Sequence, residues 1–354
     1  MGSVGTLREW LGEGPFSLSL SSSWLGLFCH AGVVCALAES GLFPSKISGS
    51  SAGALVAVLW AATMDTDRLR EVMQRAEARN PILWASVFSR NFLPGVVNIH
   101  KSTRELLERI LEGQAVPDLD KNSIPVLVSA FDITRGKTRV FSERSAADAL
   151  AASMAVPLLF KPVWAAGRPL LDGAVSDVAG VDGLERSERV LYHHATYLPL
   201  WMTQHLRGFP NLVALKIDGL PHLNPWQLPG NGMDAFRRAK EATLRALDAP
   251  MVRLRRPIGA AAPAPAADES SSNSSNSGSS SSSRGSSRGS SSSSNNSSST
   301  NSSSSSSSSG GRSRSRSNST SRLPTTKNVG MLFVKVQAYG RRVLDNDGSV
   351  RSKL

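Results

Sequence analysis

The chain has 354 residues, with 40 Lys and Arg against 28 Asp and Glu and a formal charge of +12 at pH 7. Residues 270–322 are nearly all Ser, with Asn, Gly, Thr and six Arg but no acid and no large apolar side chain, so they cannot offset the entropy of ordering, and they supply half the net charge. About 280 mildly basic residues remain, enough for one sizeable core and a poor match to a DNA-reading one, so no specific nucleic acid is expected.

The chain has two cysteines, Cys29 and Cys35, in one segment. Neither a disulfide scaffold nor a Cys-based zinc site is available. The longest apolar stretches, such as Ala52–Thr63, run about a dozen residues where a bilayer span needs about 20. Neither a transmembrane helix nor a secretory signal is expected.

From Phe16 the sequence predicts a short strand, then polar and small residues, then an apolar helix over about Leu27 to Leu42. KISGSSAGALVAVLWAA repeats that logic with a strand, a tight turn and a helix. Two such units in succession point to an α/β sheet. Met64–Ala78 and Lys101–Glu112 pattern as amphipathic helices, and Ser123–Ile133 as a central strand that turns at Arg135-Gly136 into a second strand, KTRVFSE. ADALAASMAV is expected to be helical, Pro157–Leu171 extended, Arg189–His194 and Asn211–Asp218 strands, and Asp234–Leu247 a helix. NVGMLFVKVQAY alternates as a late strand would, which makes the Ser tract an insertion within one domain. The expected organisation is a flexible N-terminus at 1–14, one domain over 15–256, a disordered Ala/Pro then Ser-rich segment at 257–326, a late strand of the same domain within 327–340, and a free tail at 341–354. The Arg-Ser repeats within the Ser tract read as low-complexity filler.

The strongest local signal is Gly49-Ser50-Ser51-Ala52-Gly53, a G-x-S-x-G pattern between a strand and a helix. A nucleophile on such a turn needs small neighbours because they approach other backbone closely, and Gly49, Ala52 and Gly53 meet that need. Ser51 would then sit at a helix N-terminus, where unpaired N–H groups favour an anionic intermediate. The competing reading makes Ser51 a helix N-cap. A second element, Pro169-Leu-Leu-Asp172-Gly173-Ala174, places an Asp after an apolar run and before two small residues. That suits a carboxylate at the lip of a cleft, or an ordinary Asp-Gly turn. Between them Ser153–Val163 (SMAVPLLFKPV) suits a buried segment, with Leu158 and Phe160 screening the carboxylate.

These residues in this order, over roughly Phe16–Asp248, resemble the patatin-like phospholipases, a group of serine acyl hydrolases. The resemblance implies a three-layer α/β/α sandwich and a Ser-Asp dyad, with Ser51 as nucleophile and Asp172 as base. It also implies a lipid ester, phospholipid or acylglycerol, as substrate, a membrane or lipid-droplet surface as the place of action, and no cofactor or metal. The family usually carries a glycine-rich oxyanion loop after the first strand. Here the matching stretch is Ser21-Ser22-Ser23-Trp24-Leu25-Gly26, so the N–H groups of Ser22, Ser23, Trp24 and Leu25 are the expected donors, from a loop shape glycine reaches more easily than Ser. The departure keeps open a catalytically weak or inactive relative that binds lipid or a partner.

Histidines offer a rival, since Ser51, Asp172 and His193 or His194 follow the chain order of a Ser-Asp-His triad. His193 and His194 end an apolar strand, where a structural role is the commoner outcome. His30, in the apolar Phe28–Val34 stretch, reads as a packing residue, and His100, His205 and His222 show no recognisable spacing. The last three residues, Ser352-Lys353-Leu354, match the tripeptide that a peroxisomal import receptor reads. Delivery to the peroxisome, or otherwise the cytoplasm, is therefore expected. Met1–Thr6 fits a loose myristoylation pattern, which one acyl chain makes only a marginal anchor.

Overall fold

The computed structural model describes residues 4–89, 99, 103, 107, 118–143, 145–165, 167–195, 206, 208–220, 231–253, 332–337, 342–344 and 350–352. The helix expected at Lys101–Glu112 (save Thr103 and Leu107), the segment 257–326, His100, His205, His222, Lys353 and Leu354 lie outside them. Strand β1 (Val4–Thr6) leads into helix α1 (Leu7–Gly12), where the sequence predicts a flexible terminus. The order comes from a capping box. Thr6 accepts from the Glu9 N–H while the Glu9 carboxylate accepts from the Thr6 N–H, and Leu7, Trp10 and Leu11 are buried.

Strand β2 (Ser17–Leu20) is followed by helix α2 (Leu27–Glu39). The helix stops short of Leu42 because Gly41, at φ +73°, takes the left-handed conformation that ends helices. Strand β3 (Lys46–Ser50) runs into α3 (Ala52–Thr63), and α4 (Thr66–Ser89) follows. Then come β4 (Val126–Asp132), β5 (Lys137–Phe141) and α5 (Ala146–Ser153). Pro157–Leu171 is not one extended run. It turns at 157–159 and forms a hairpin, β6 (Val163–Ala165) and β7 (Arg168–Asp172), about Gly167 at φ +74°. Strands β8 (Val190–His193) and β9 (Leu212–Asp218), helix α6 (Gly232–Leu247), β10 (Pro250–Arg253) and β11 (Leu332–Gln337) complete the main sheet.

Its order is β1-β10-β11-β9-β8-β2-β3-β4-β7-β6, with β5 on the far side of β4. From β11 to β4 the strands are parallel; β1, β10, β5, β7 and β6 pair antiparallel at the two flanks. Central strands buried on both faces need apolar runs, which VLVSAFD and LVALKID supply, while SLSL alternates and its buried Ser17 and Ser19 donate to Glu188 and the Ala179 carbonyl. One face, with Leu20, Ile47, Val128 and Leu215, joins the core formed with α1 to α4 and α6. The other, with Leu127, Tyr192 and Leu212, is covered by Ala179–Leu184, Leu206 and Phe209. The described residues belong to one unit made of 1–256 and 328–354. Within 341–354, expected as a free tail, β12 (Arg342–Leu344) pairs antiparallel with β13 (Val350–Ser352). Among the described residues no helix is long and apolar enough to cross a membrane.

Candidate active site

The site forms where β3 and β7 meet along one side of β4. Ser50 of β3 lies opposite Ser129 of β4, and the next residue, Ala130, lies opposite Asp172 of β7. Since β7 runs antiparallel to β4, its last residue arrives where β3 ends. Ser51 follows there with φ +52° and ψ −118°, a strained conformation for a residue with a side chain, and α3 begins at once. The turn is close-packed. A Cβ on Gly53 would lie 2.2 Å from the Leu20 carbonyl oxygen, and one on Gly49 would lie 2.5 Å from the Ala54 nitrogen.

Ser51 Oγ donates to Asp172 Oδ2 at 2.8 Å, and both residues are buried. Asp172 Oδ1 accepts the Ala174 N–H at 2.8 Å from the short 3₁₀ turn Gly173–Val175. The Asp172 N–H donates to the Ala155 carbonyl, and Gly173 is pressed so near the Ser129 carbonyl that a Cβ would lie 2.3 Å from it. Burial pushes the Asp172 carboxyl up to about 6, against the opposing pull of the Ala174 and Ser51 hydrogen bonds. Phe160 is buried, whereas Leu158, expected to screen this carboxylate, points into solvent with 79% of its surface exposed.

Two elements of the site were missed in the sequence. Ser153, at the end of α5, accepts the Ser51 N–H at 2.9 Å and donates to the Ser129 carbonyl at 2.7 Å. Buried Asp177 accepts from Ser129 Oγ and from the Val181 and Asp182 N–H groups, fixing the loop after the 3₁₀ turn. A serine in the last turn of an Ala-rich helix and an Asp in a turn carry no local signal of either role.

The segment Ser21–Gly26 runs over the N-terminus of α3, close enough that a Cβ on Gly53 would also touch the Ser21 carbonyl. Ser22 departs from its expected role. Its N–H donates to the Val178 carbonyl at 2.8 Å and is unavailable to a ligand. The turn at Ser23–Gly26 is closed by Gly26 N–H to the Ser23 carbonyl, with Trp24 at φ +53°.

The histidines are held elsewhere. His30 Nε2 lies 2.8 Å from the Ser21 carbonyl, and His30 Nδ1 lies 2.8 Å from His193 Nδ1. A carbonyl only accepts, which assigns the His30 proton to Nε2; His193 then donates from Nδ1, leaving its buried Nε2 unpartnered. Burial drives His30 down to about 4 and His193 well below the ordinary imidazole value. His194 Nδ1 meets the Tyr192 hydroxyl at 2.9 Å. Cys29 and Cys35 are free and buried.

Residues 20–184 match a family model described as patatin-like phospholipase. Uncharacterized NTE family proteins of Mycobacterium bovis and Mycobacterium tuberculosis are 30% identical over 180 residues, 47% of this chain and 46% of theirs. The chain thus spans about half the length of these curated relatives. Among solved structures, VipD from Legionella pneumophila superposes with a TM-score of 0.41 at 16% identity, over 66% of this chain and 67% of VipD. The ExoU–SpcU complex of the Pseudomonas aeruginosa type III secretion system gives 0.34 at 17%, over 67% of this chain and 52% of the matched chain. The family model thus covers residues 20–184, just under half of the chain, and that part, with the mixed sheet that carries it, is similar to the patatin-like phospholipases.

Proposed function

We propose that this protein hydrolyses a carboxylic ester of a phospholipid or acylglycerol through an acyl-Ser51 intermediate. The observation that carries this reading is the buried 2.8 Å hydrogen bond from Ser51 Oγ to Asp172 Oδ2. A serine hydroxyl is a poor nucleophile until a base takes its proton, and a carboxylate lifted to about 6 is a stronger base than a solvated one while still ionised near neutrality. Ser51 Oγ attacks the ester carbonyl as its proton passes to Asp172, and the oxyanion is met by N–H groups of the turn Ser23–Leu25 and the start of α3. The carbon–oxygen bond to the alcohol breaks, and the departing alkoxide takes the proton from Asp172. Water, deprotonated by Asp172, then attacks the acyl-serine, and the proton returns to Ser51 Oγ as the fatty acid leaves.

No histidine is needed, which agrees with the engagement of His193 by His30. A fluorophosphonate probe tests the reading: it should label the wild-type protein and not Ser51→Ala. The loss of the Ser22 N–H to Val178 favours a second reading, a weak or inactive relative that retains lipid or partner binding. Absence of labelling in well-folded wild-type protein would select it.

A further inference from the structure

Strand β4 runs three residues past its pairing with β3, and this extension carries two hairpins, β4–β5 and β6–β7. Asp132 lies opposite Leu170, so the next pair outward is Ile133 beside Pro169, joined by Ile133 N–H to the Pro169 carbonyl at 3.2 Å. Pro169 in turn lies opposite Trp164. Directly opposed residues share a face, so Ile133, Pro169 and Trp164 form a row across three strands. On the other face Val163, Ala165 and Leu170 are buried against α5 and its following segment. The row is in the open: Trp164 is 74% exposed and Ile133 41%. Leu158, on the segment leading into β6, shows its side chain to solvent from φ +71°.

The charge around the row has one sign. Residues 131–139 and 161–170 hold five basic side chains, Arg135, Lys137, Arg139, Lys161 and Arg168, against one acid; exposed Arg135, in the β4–β5 turn, and exposed Lys161, just before β6, border the row, while Lys137, Arg139 and Arg168 pair with Asp132, Ala130 and Ala165 on the other face. That acid, Asp132, is buried and paired with Arg168 at 3.1 Å. Exposed Trp with aliphatic neighbours and surrounding Lys and Arg is the pattern of a surface that inserts a ring among lipid headgroups and holds anionic ones with its cations. Its location fits. Three residues along a strand is about 10 Å, so the row stands that far beyond Asp172, past the carboxyl ends of the parallel strands where Ser51 and Asp172 lie.

We propose that this two-hairpin arm, with Trp164 and Ile133 at its apolar centre and Arg135 and Lys161 beside them, is the face the protein sets on an anionic lipid surface. The proposal rests on the lipid-ester reading of the site, and it names the surface from which that site is fed.

The test uses the full chain carrying Ser51→Ala, which binds without hydrolysis, and sedimentation with vesicles of phosphatidylcholine alone or mixed with phosphatidylserine. Binding should require the phosphatidylserine, fall about tenfold in Trp164→Ala, and fall about fivefold for each of Arg135→Gln and Lys161→Gln, because each cation near an anionic surface contributes about that factor. These side chains are exposed, so circular dichroism should show the fold retained. The Arg-bearing Ser tract is common to every variant and cancels in the comparison. Three outcomes overturn the proposal: no binding to phosphatidylserine vesicles, variants that bind as the parent does, or a parent that self-associates through Trp164 while its vesicle binding ignores that residue. Fluorophosphonate labelling of Ser51 is read separately. Labelling without vesicle binding sinks the arm alone, and vesicle binding without labelling sinks the hydrolase reading alone.

Discussion

Asp172 Oδ2 accepts a hydrogen bond from Ser51 Oγ because β7 points antiparallel at the end of β3, with Ser129 and Ala130 of β4 holding the two strand ends in consecutive register. The contact is therefore made by the sheet, and a change confined to the carboxyl should spare the fold. Asp172→Asn should lower kcat for an ester substrate by about 10² to 10⁴, the range for losing a general base. Turnover assays on the pure variant, with circular dichroism as control, check this; activity within threefold of wild type would remove Asp172 from the mechanism.

The same carboxyl sets the expected pH profile. As the proposed base, Asp172 would act only when ionised, and its carboxyl is held up to about 6, so kcat/KM should fall tenfold per unit below that value and level off above it. An imidazole would give a limb in a similar place, but burial drives His30 down to about 4 and His193 well below the ordinary imidazole value. Carboxyl ionisation is nearly athermal whereas imidazole ionisation is not. Profiles at two temperatures should therefore show a midpoint that stays put; a midpoint that moves down on warming would point to a histidine.

Much of this arrangement is legible in the sequence, for identifiable reasons. The buried parallel strands show because VLVSAFD and LVALKID are apolar runs and SLSL alternates, and Ser51 and Asp172 stand out because small residues crowd them. What escapes is set by distant backbone. The Ser22 N–H is consumed by Val178, and the Ser51 N–H is taken by Ser153, neither of which any spacing encodes. Strand β10 is four residues long and β1 three, too short for a period to register. The Thr6–Glu9 capping box was visible, yet it precedes a helix of only six residues.

Ser153 gives a sharper test of the strained turn. Its hydroxyl bridges the Ser51 N–H and the Ser129 carbonyl, both buried. Ser153→Ala strands a donor and an acceptor, each costing about 1 to 3 kcal/mol, and lets the Ser51 backbone relax from φ +52°. Expected are an unfolding free energy lower by about 2 kcal/mol and a loss of kcat that exceeds any change in KM. Urea melts and steady-state kinetics measure both. Unchanged kcat in a destabilised protein would make Ser153 a packing residue only.

Gly53 offers a prediction whose sign decides. Within a helix Gly→Ala ordinarily stabilises by about 1 kcal/mol, and Gly12→Ala in α1, with open space around the new Cβ, should gain a few tenths to about 1 kcal/mol. At Gly53 the Cβ would lie 2.2 Å from the Leu20 carbonyl oxygen, which is backbone and cannot swing aside. Gly53→Ala should instead destabilise by about 1 to 3 kcal/mol and weaken fluorophosphonate labelling by displacing the start of α3. Equal gains at both positions would mean that α3 and the Leu20–Ser21 segment do not meet as closely as described.

Buried carboxyls and buried imidazoles make opposing contributions to acid stability, and one substitution reads out a single carboxyl's share. The Asp172 carboxyl is raised from 3.8 to about 6, so the folded state holds its proton more tightly than the unfolded chain. That costs about 3 kcal/mol above pH 6, relieved as pH falls from 6 towards 3.8. The buried His30 imidazole is lowered from 6.5 to about 4, so its contribution is complete above 6.5 and about 3 kcal/mol of it is lost as pH falls to 4, with His193 adding in the same direction. In the wild type the carboxyl gain partly offsets the imidazole loss between pH 6 and 4. In Asp172→Asn that residue's share of the offset is gone, leaving the part from Asp177, whose carboxyl burial also raises, so that variant should be the more stable of the two at pH 7.5, lose stability more steeply on acidification, and converge on the wild type near pH 4. Urea melts of both proteins at several pH values over that interval measure the divergence, and parallel curves would show that Asp172 ionises in the fold as it does in the open chain.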